Sequence, residues 1–419
     1  MVSKLLYTFL DSSLVKKFDL ITFVLVIAIT AFGLATLYSA TLSIQSSDST
    51  SFLSSNFNKQ VVWVCFGFVV LFVVNALSLD WISKFSYSSY FISVILLILV
   101  VSIGYVAGGA RSWFNFGVVR FQPAEVMKIS LILTLARFLA DKNHFDFKLT
   151  ATILVMVILP FGLIMLQPDL GSGLALIAIS LPMIFWAGFP LLILFLLATP
   201  IVSALLGFLP IQYLAIWCLV VGVIAFVFSN LDLVKKIILV VLTIGVNFGV
   251  SKIGLFAWNS LKTYQQNRIL TFLDPEKDPI GGGYQVLQSL TAIGSGGFWG
   301  KGYLEGTQTQ LRFLPEQHTD FIFSVLAEEM GFVGVAGVLI LFLFLCLRTL
   351  MIAISTDDRF NSLVAIGIWG LMVYHIFINI GMLAGLMPVT GIPLPFFSYG
   401  GSFYLSMSVM MGLLIRVSR

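Results

Sequence analysis

Long apolar runs separated by short polar stretches form the dominant pattern of this chain. A run of about 18 or more residues with few charges is long enough to cross a bilayer as a helix. The crowded stretch from Gly171 to Asn230 could instead contain a re-entrant or tilted segment. The pattern predicts an all-α, polytopic integral membrane helical bundle of about twelve transmembrane helices. The runs lie near residues 20–41, 60–78, 86–107, 122–141, 149–166, 171–187, 189–208, 211–229, 235–256, 321–347, 363–386 and 400–416.

The composition supports a membrane setting. Hydrophobic residues make up 59% of the chain and charged residues 10%, and the mean hydropathy is +1.04. A soluble protein of this length could not cover so much apolar surface. The net charge of +4 follows from basic residues beside the predicted spans, so it does not indicate a nucleic-acid partner.

The positions of lysine and arginine predict the orientation, because cytoplasmic loops keep positive charge during insertion. With a cytoplasmic N-terminus, the short loops on the opposite side hold few basic residues besides Arg111 and Arg120. Nine spans precede the long polar segment, which is therefore expected outside, and both termini are expected in the cytoplasm. The residues then expected inside are Lys4, Lys16, Lys17, Lys84, Arg137, Lys142, Lys148, Lys235, Lys236, Arg348, Arg359, Arg416 and Arg419.

One long polar interruption, residues 257–320, breaks the apolar pattern. It contains two Asp-Pro steps, at Asp274 and Asp278, followed by three glycines, at 281–283. Each proline restricts the residue before it to extended backbone, and glycines let a chain turn closely against a neighbour. The pattern predicts a large, constrained extracytoplasmic loop.

Ionisable residues inside predicted spans are candidates for function. Glu125 and Lys128 lie three residues apart, so they project from one helix face and can pair, and Arg111 lies shortly upstream. A buried ion pair that only pins helices together is an equally good interpretation of the pair. The turn Gln167–Gly171 could be a site or a plain capped turn.

The end of the polar loop brings further ionisable residues together in the sequence. His318 lies among Arg312, Glu316 and Asp320. Such an environment favours a positioning role over that of an ordinary interfacial histidine, although both remain open. Asp320 and Glu328 are eight residues apart, which predicts that both face one side of the following helix.

Several of these motifs resemble the SEDS family, and the resemblance runs from the first span to the C-terminus. The glutamine-rich block before His318 resembles the members that act in cell elongation more than those of division or sporulation. The resemblance is carried by Ala110–Trp113, Gln122–Glu125 with Lys128, Gln167–Gly171, Asp274–Gly281, Gly306–Leu311, Leu314–Phe321 and Pro393–Ser402.

The resemblance implies one membrane domain over residues 1–419 and a peptidoglycan glycosyltransferase that joins lipid II units at the outer face of the cytoplasmic membrane. The family's essential loop aspartate matches Asp278, which is expected to be the catalytic general base, with Asp274 as the alternative. A single placed carboxylate and a good leaving group suggest inverting displacement of undecaprenyl pyrophosphate.

The remaining site residues are assigned by chemistry and by motif. Arg111, Lys128 and Arg268 are expected to bind the pyrophosphate, because guanidinium and ammonium groups suit phosphate oxygens. Glu125 is expected to hold Lys128, while His318, Asp320 and Ser398 match family motifs around the substrate site. No cofactor is implied with certainty. A divalent cation, Mg²⁺ or Mn²⁺, could share the pyrophosphate's charge, although the sequence shows no dedicated cage.

The resemblance also implies partners, which are a class B penicillin-binding protein acting as transpeptidase and other membrane proteins of the elongation complex. Two departures from the family limit the comparison. Ala124 stands where the family more often has serine, and residues 210–256 form two spans beyond the usual ten, a probable two-helix insertion.

Two functions of other classes compete with this interpretation. A lipid II flippase also needs intramembrane ionisable residues such as Glu125, Lys128 and Glu328, but it would place them near the bilayer midplane. The charged motifs here gather at the predicted outer edge. A non-catalytic scaffold gives no reason for a constrained Asp-Pro loop.

Overall fold

The computed structural model describes residues 18–42, 55–107, 110–117, 120–142, 147–229, 231–260, 266, 283–314 and 316–419. Helices dominate these residues, as the apolar runs predict. The first half contains α1 (Leu20–Leu42), α2 (Asn56–Ala76), α3 (Leu79–Ile103), α4 (Pro123–Ala140), α5 (Phe147–Met165), α6 (Leu170–Trp186) and α7 (Leu191–Leu206). The second half contains α8 (Ile211–Phe228), α9 (Leu233–Ser260), α10 (Tyr284–Gly296), α11 (Thr307–Gln310), α12 (Ile322–Ser355), α13 (Arg359–Leu383) and α14 (Gly401–Val417).

The prediction of an all-α polytopic membrane protein is confirmed. Eight of the described helices are long and apolar enough to cross a membrane, and α6, α7 and α14 are shorter apolar helices. Together with α4, which carries Glu125, Lys128 and Arg137, they correspond one to one to the twelve predicted runs. Two boundaries differ clearly: α3 begins at Leu79 rather than near residue 86, because its first turns contain Asp80 and Lys84, and α12 continues to Ser355 rather than ending near residue 347.

Three short strands between α3 and α4 were not predicted. Strand β1 (Tyr105–Ala107) pairs antiparallel with β2 (Ala110–Asn115), and β2 pairs with β3 (Arg120–Phe121). The sequence between the first two strands is Gly108-Gly109. A glycine pair between short apolar stretches is a hairpin signal, and the neighbouring long apolar run obscured it.

The chain forms two compact units. One comprises Met1–Met183 with Asp274–Arg419, and the other comprises Ile184–Leu273. Small residues allow close helix packing in the first unit, as is usual in membrane bundles. A Cβ atom at Gly67 of α2 would lie 2.5 Å from the Tyr404 ring of α14, and one at Gly412 would lie 2.7 Å from the Leu71 carbonyl oxygen.

The second unit contains α7, α8 and α9. A buried polar cluster joins two of its helices, since Ser203 donates to Asn247 Oδ1 at 2.5 Å and Asn247 Nδ2 donates to Thr199 Oγ1 at 3.1 Å. The predicted insertion, 210–256, corresponds to α8 and most of α9. That these helices are additional to the family's usual ten stays a prediction.

The described residues of the connecting segments 105–121, 166–169, 297–321 and 384–400 meet at one end of the first unit, here called the loop end. Ser402 donates to the Arg120 carbonyl, Tyr374 donates to the Gly171 carbonyl, and the Tyr399 amide donates to the His318 carbonyl. The opposite end is tied by Arg348, which donates two hydrogen bonds to Asp19 at 3.0 and 3.1 Å. Among the described residues, the loop end gathers sequence motifs that lie far apart along the chain.

Candidate active site

A buried ion pair lies in the first turns of α4, close to the loop end. Pro123 begins the helix, which places Glu125 in the first turn, where the helix dipole favours a negative charge. Lys128 Nζ lies 2.7 Å from Glu125 Oε1, and Ser406 Oγ donates to Glu125 Oε2 at 2.7 Å. The predicted pairing of Glu125 and Lys128 is present, and both carboxylate oxygens have donors.

The lysine of this pair is shielded from solvent. Its side chain is 1% exposed, and Nζ lies 5.6 Å from the centre of the Phe403 ring. In this arrangement Lys128 cannot touch a pyrophosphate directly, because its ammonium is enclosed by Glu125 and Phe403. Substrate binding by Lys128 stays a prediction, and it would require Lys128 to separate from Glu125. A purely structural ion pair stays the alternative interpretation.

Arg111 lies in a different environment from Lys128. It is an exposed residue of β2, paired in register with Val106. Nearby, the Arg120 guanidinium lies 5.7 Å from the centre of the Tyr105 ring. The hairpin therefore presents guanidinium groups to the exterior at the loop end, where they could meet an anionic ligand.

The segment before α14 is held by Ser398, which is almost fully buried. Ser398 Oγ accepts a hydrogen bond from the Leu394 amide at 2.9 Å. Gln60 of α2 accepts from the Gly400 amide at 3.1 Å and donates to the Ser398 carbonyl at 3.5 Å. Ser398 thus shapes its own loop, and Gln60, which the sequence analysis did not select, ties that loop to α2.

His318 packs against the same segment. Its ring centre lies 5.7 Å from that of Tyr399, and its Nε2 lies 3.9 Å from Glu316 Oε2. Burial lowers the pKa of His318 from its ordinary value, and the Glu316 carboxylate opposes that shift. The neutral imidazole is favoured, so His318 is suited to hydrogen bonding and packing more than to carrying a charge.

Asp320 lies in the turn that precedes α12. Its carbonyl accepts from Asn379 Nδ2 at 3.0 Å, and Asn379 also donates to the Ile392 carbonyl at 2.7 Å. The expectation that Asp320 and Glu328 share one face of a helix is wrong, because α12 begins at Ile322 and only Glu328 belongs to it. Asp320 instead joins 316–321 to 384–400 through its backbone.

Among the carboxylates that the structure describes at the loop end, Glu328 accepts the most hydrogen bonds, which its sequence position did not predict. Its side chain is fully buried and lies 2.8 Å from Lys301 Nζ. It also accepts hydrogen bonds from Thr307 and from the amides of Gln308 and Thr309. The neighbouring Glu329 accepts from Ser39 of α1. Glu328 therefore fixes segment 301–309 against α12.

His375 is a second residue that sequence reasoning missed, because it lies inside an apolar run. It is buried in α13, with Nδ1 3.0 Å from the Pro393 carbonyl oxygen and its ring centre 4.9 Å from that of Phe403. Phe403 thus packs near both His375 and Lys128. A lone histidine within an apolar span was the available signal.

The turn Gln167–Gly171 is capped, as one of its two interpretations predicted. Asp169 accepts from the Ser172 amide at 3.0 Å, and Gln122 Nε2 donates to the other carboxylate oxygen of Asp169 at 2.8 Å. The turn therefore anchors the beginning of α4, and with it the Glu125–Lys128 pair.

The part of the polar loop that carries the assigned base, residues 267–282, lies outside the described residues. This applies to Asp278, to its alternative Asp274 and to Arg268. Among the described residues no group of three or more His, Cys, Asp or Glu side chains could hold a metal ion. The assignments in the loop and the divalent cation stay predictions.

Comparisons with known proteins cover nearly the whole chain. The family model of the cell cycle proteins FtsW, RodA and SpoVE matches residues 19–216 and 211–419. Peptidoglycan glycosyltransferase RodA of Treponema pallidum is 34% identical over 96% of this chain and 98% of its own length. Peptidoglycan glycosyltransferase MrdB of Escherichia coli K12 is 34% identical over 86% of this chain and 84% of its own length.

A solved structure is similar over the same extent. A chain from work on the structural coordination of polymerization and crosslinking by a peptidoglycan synthase complex superposes with a TM-score of 0.69 and 30% identity. It covers 96% of this chain and 98% of that one. The match is consistent with the motifs gathered at the loop end, and this chain belongs to the FtsW, RodA and SpoVE family, the SEDS proteins.

Proposed function

We propose that this chain is a peptidoglycan glycosyltransferase that polymerises lipid II into glycan strands at the outer face of the cytoplasmic membrane during cell elongation. The observation that carries the proposal is the extent of the similarity. A relative named as a peptidoglycan glycosyltransferase aligns with 96% of this chain at 34% identity, so the similarity includes the polar loop and is not confined to apolar spans.

In the proposed reaction, the 4-hydroxyl of one lipid II attacks the anomeric carbon of a glycan strand that is linked to undecaprenyl pyrophosphate. Asp278 accepts the proton of the hydroxyl as general base. The new glycosidic bond forms as the bond to the pyrophosphate oxygen breaks, and the configuration inverts, since only one loop carboxylate is assigned to the reaction.

Positive charge stabilises the leaving pyrophosphate. Of the two assigned cations that the structure describes, Arg111 is better placed than Lys128, because it is exposed on the hairpin at the loop end. Arg268 belongs to the catalytic loop, and Lys128 would act after release from Glu125. The positions of His318, Asp320 and Ser398 in the turns of the loop end favour a role in shaping the substrate site.

The proposed orientation places the loop end outside the cell and both termini in the cytoplasm. Arg137, Arg348, Arg359 and Arg416 all lie near helix ends opposite the loop end. Such a distribution is expected when basic loops remain in the cytoplasm. The site would then face the compartment in which glycan strands are assembled.

The proposed partner is a class B penicillin-binding protein that crosslinks the new strands, together with other membrane proteins of the elongation complex. Support comes from the similar chain of a peptidoglycan synthase complex, in which polymerization and crosslinking are coordinated. A polymerase and a transpeptidase working on one strand would need to be held together in the same membrane.

Replacing the base tests the proposal. Purified protein, with its cognate transpeptidase, is supplied with lipid II, and glycan product is measured for wild type, Asp278→Asn and the matched control Asp274→Asn. Loss of a general base is expected to lower the rate about 10²- to 10⁴-fold, while the control retains most activity. Folding and partner binding are checked for each variant.

Other outcomes have definite meanings. Undiminished polymerisation by Asp278→Asn would overturn the assignment of the base, and loss confined to Asp274→Asn would transfer the role to Asp274. If well-folded wild-type complex makes no product, translocation of labelled lipid II across vesicles becomes the next measurement, because the flippase interpretation then leads.

A further inference from the structure

An exposed aromatic patch lies where α10 ends and α12 is interrupted. It consists of Phe298, Trp299 and Phe332. The rings of Phe298 and Trp299 meet edge to face at 5.1 Å, and those of Phe298 and Phe332 stack at 5.6 Å. All three side chains are more than half exposed, with Trp299 the most exposed at 77%.

Backbone hydrogen bonds hold the patch in place. Gly331 has φ 61°, which interrupts α12 and frees two amides. The Phe332 amide donates to the Gly297 carbonyl at 3.0 Å, and the Val333 amide donates to the Phe298 carbonyl at 3.2 Å. These hydrogen bonds fix the turn that carries the aromatic rings, so the fold itself keeps the rings exposed.

The patch continues a lipid-facing stripe of α12. The opposite face of the helix is buried along its length through residues such as Val338, Phe342 and Leu345. In a membrane protein, the exposed apolar side of such a helix faces lipid. Exposed apolar side chains recur on that side at Phe332, Leu339, Leu343, Leu347, Met351 and Ile354.

The length of this stripe sets the depth of the patch. Phe332 and Ile354 are 22 positions apart in the chain, which corresponds to about 33 Å along an α-helix. The hydrocarbon core of a bilayer is about 30 Å thick. With Ile354 at one boundary, Phe332 and the rings packed against it lie at the other, where tryptophan is enriched in membrane proteins.

We propose that the Phe298, Trp299 and Phe332 patch is a membrane-interface anchor, which docks the turn after α10 on the outer surface of the lipid bilayer. Trp299 lies at the level of the lipid headgroups, with its indole N–H available to water or to ester oxygens. The anchor fixes the depth of segment 297–306. Glu328 and Lys301 connect this segment to α12. The anchor therefore also fixes the position of the loop end relative to the bilayer surface.

The test measures the depth of residue 299 directly. The three native cysteines are replaced by alanine, Trp299→Cys is labelled with an environment-sensitive fluorophore, and the protein is reconstituted in phosphatidylethanolamine and phosphatidylglycerol vesicles. Glu305→Cys, an exposed position of the same loop, is the matched control. Lipids brominated close to the glycerol backbone are expected to cause a larger loss of fluorescence at 299, and aqueous iodide a larger loss at 305.

Two outcomes would contradict the proposal that this patch is a membrane anchor. Equal quenching of both positions by iodide would place Trp299 in water. Protection of position 299 from both bromine and iodide would mean that protein, such as a second copy of this chain, covers the patch.

A second measurement leaves the native cysteines in place and needs no label. Intrinsic fluorescence of wild type and Trp299→Phe is compared in brominated and ordinary vesicles. The wild type is expected to lose more emission to shallow bromines than the variant does, and identical losses would contradict the proposal.

Discussion

The most apolar windows of helices α9 and α13 have the same mean hydropathy, 2.0, yet their environments differ. Within the most apolar window of each, 11% of the residues of α9 are buried inside the protein, compared with 61% for α13. Both sequences satisfy the requirement for crossing a bilayer. Hydropathy therefore predicts that a segment enters the membrane, but it does not predict whether lipid or protein will surround it.

The polar residues of the two helices show what this difference means for function. In α13, His375 and Asn379 reach the carbonyls of loop segments and so shape the loop end. In α9, Asn247 bonds to Ser203 and Thr199 of α7 and to the Thr243 carbonyl of its own helix. A polar group in the buried helix can thus serve the site, whereas the one in the lipid-facing helix serves local packing. The following predictions test this contrast.

The largest contrast is expected from breaking an ion pair in each unit. Lys128→Met leaves Glu125 charged and buried without its cation, which costs about 3–5 kcal/mol. Lys235→Met removes the partner of Asp232 in an exposed pair at the beginning of α9, which costs about 0–1 kcal/mol. Denaturant unfolding in detergent measures both. Similar losses in the two variants would show that the Glu125–Lys128 pair is not buried as described.

Two glycine substitutions should change the stability of the protein in opposite directions. A Cβ at Gly300 would lie 2.1 Å from the Glu329 carbonyl oxygen, and φ there is +81°, so Gly300→Ala is expected to cost about 2–4 kcal/mol. Gly245 of α9 has no neighbour within 4 Å of its Cβ position. Gly245→Ala should stabilise by about 0.5–1 kcal/mol through helix propensity. Melting temperatures that move in the same direction would refute this contrast.

A smaller effect is expected from the polar cluster of the second unit. Asn247→Leu removes the hydrogen bonds to Ser203 and Thr199 and should cost about 1 kcal/mol, the usual size for interhelical hydrogen bonds in membranes. Val246→Leu, at an exposed neighbouring position, is the control and should be nearly neutral. Polymerase activity should remain close to wild type in both. A large loss of activity in Asn247→Leu alone would show that this unit contributes to the site.

The smallest effect is the pH dependence linked to His318. Its pKa is lower in the folded protein than its ordinary value of 6.5, so the unfolded state takes up the proton first as the pH falls. The stabilisation is complete above about pH 6.5 and is lost as the pH falls towards the folded pKa. Melting temperatures recorded from pH 8 to pH 5 should therefore fall less in His318→Gln than in wild type. If the melting temperatures of the two proteins fell in parallel with pH, the proposed contribution of His318 to the pH dependence would be contradicted.

Much of the fold could be predicted because the bilayer imposes a simple length requirement. All twelve apolar runs became helices, since unpaired backbone groups are too costly in hydrocarbon. The Glu125–Lys128 pair was predictable from its spacing of three, which places both residues on one helix face. The hairpin at 105–121 was missed because its strands are short and follow directly on an apolar helix.

The candidate site could be predicted only in part. Motif resemblance selected His318, Asp320 and Ser398, and the structure brings all three to the loop end. Their contacts did not follow from the sequence, because the partners Tyr399, Asn379 and Gln60 lie up to 338 positions away. The burial of Lys128 was also unforeseen, since it depends on Phe403 and Ser406 of α14.

The sequence by itself determined which segments cross the membrane, which residues can pair within one helix, and the family to which the motifs belong, because each depends on local composition, spacing or order. Only the tertiary structure decided that Glu328 is enclosed by segment 301–309, that Lys128 is shielded, and that α13 is buried while α9 faces outward. These properties arise from contacts between helices. In a bilayer the packing of one apolar helix against another is selected by small residues and hydrogen bonds, and not by hydropathy.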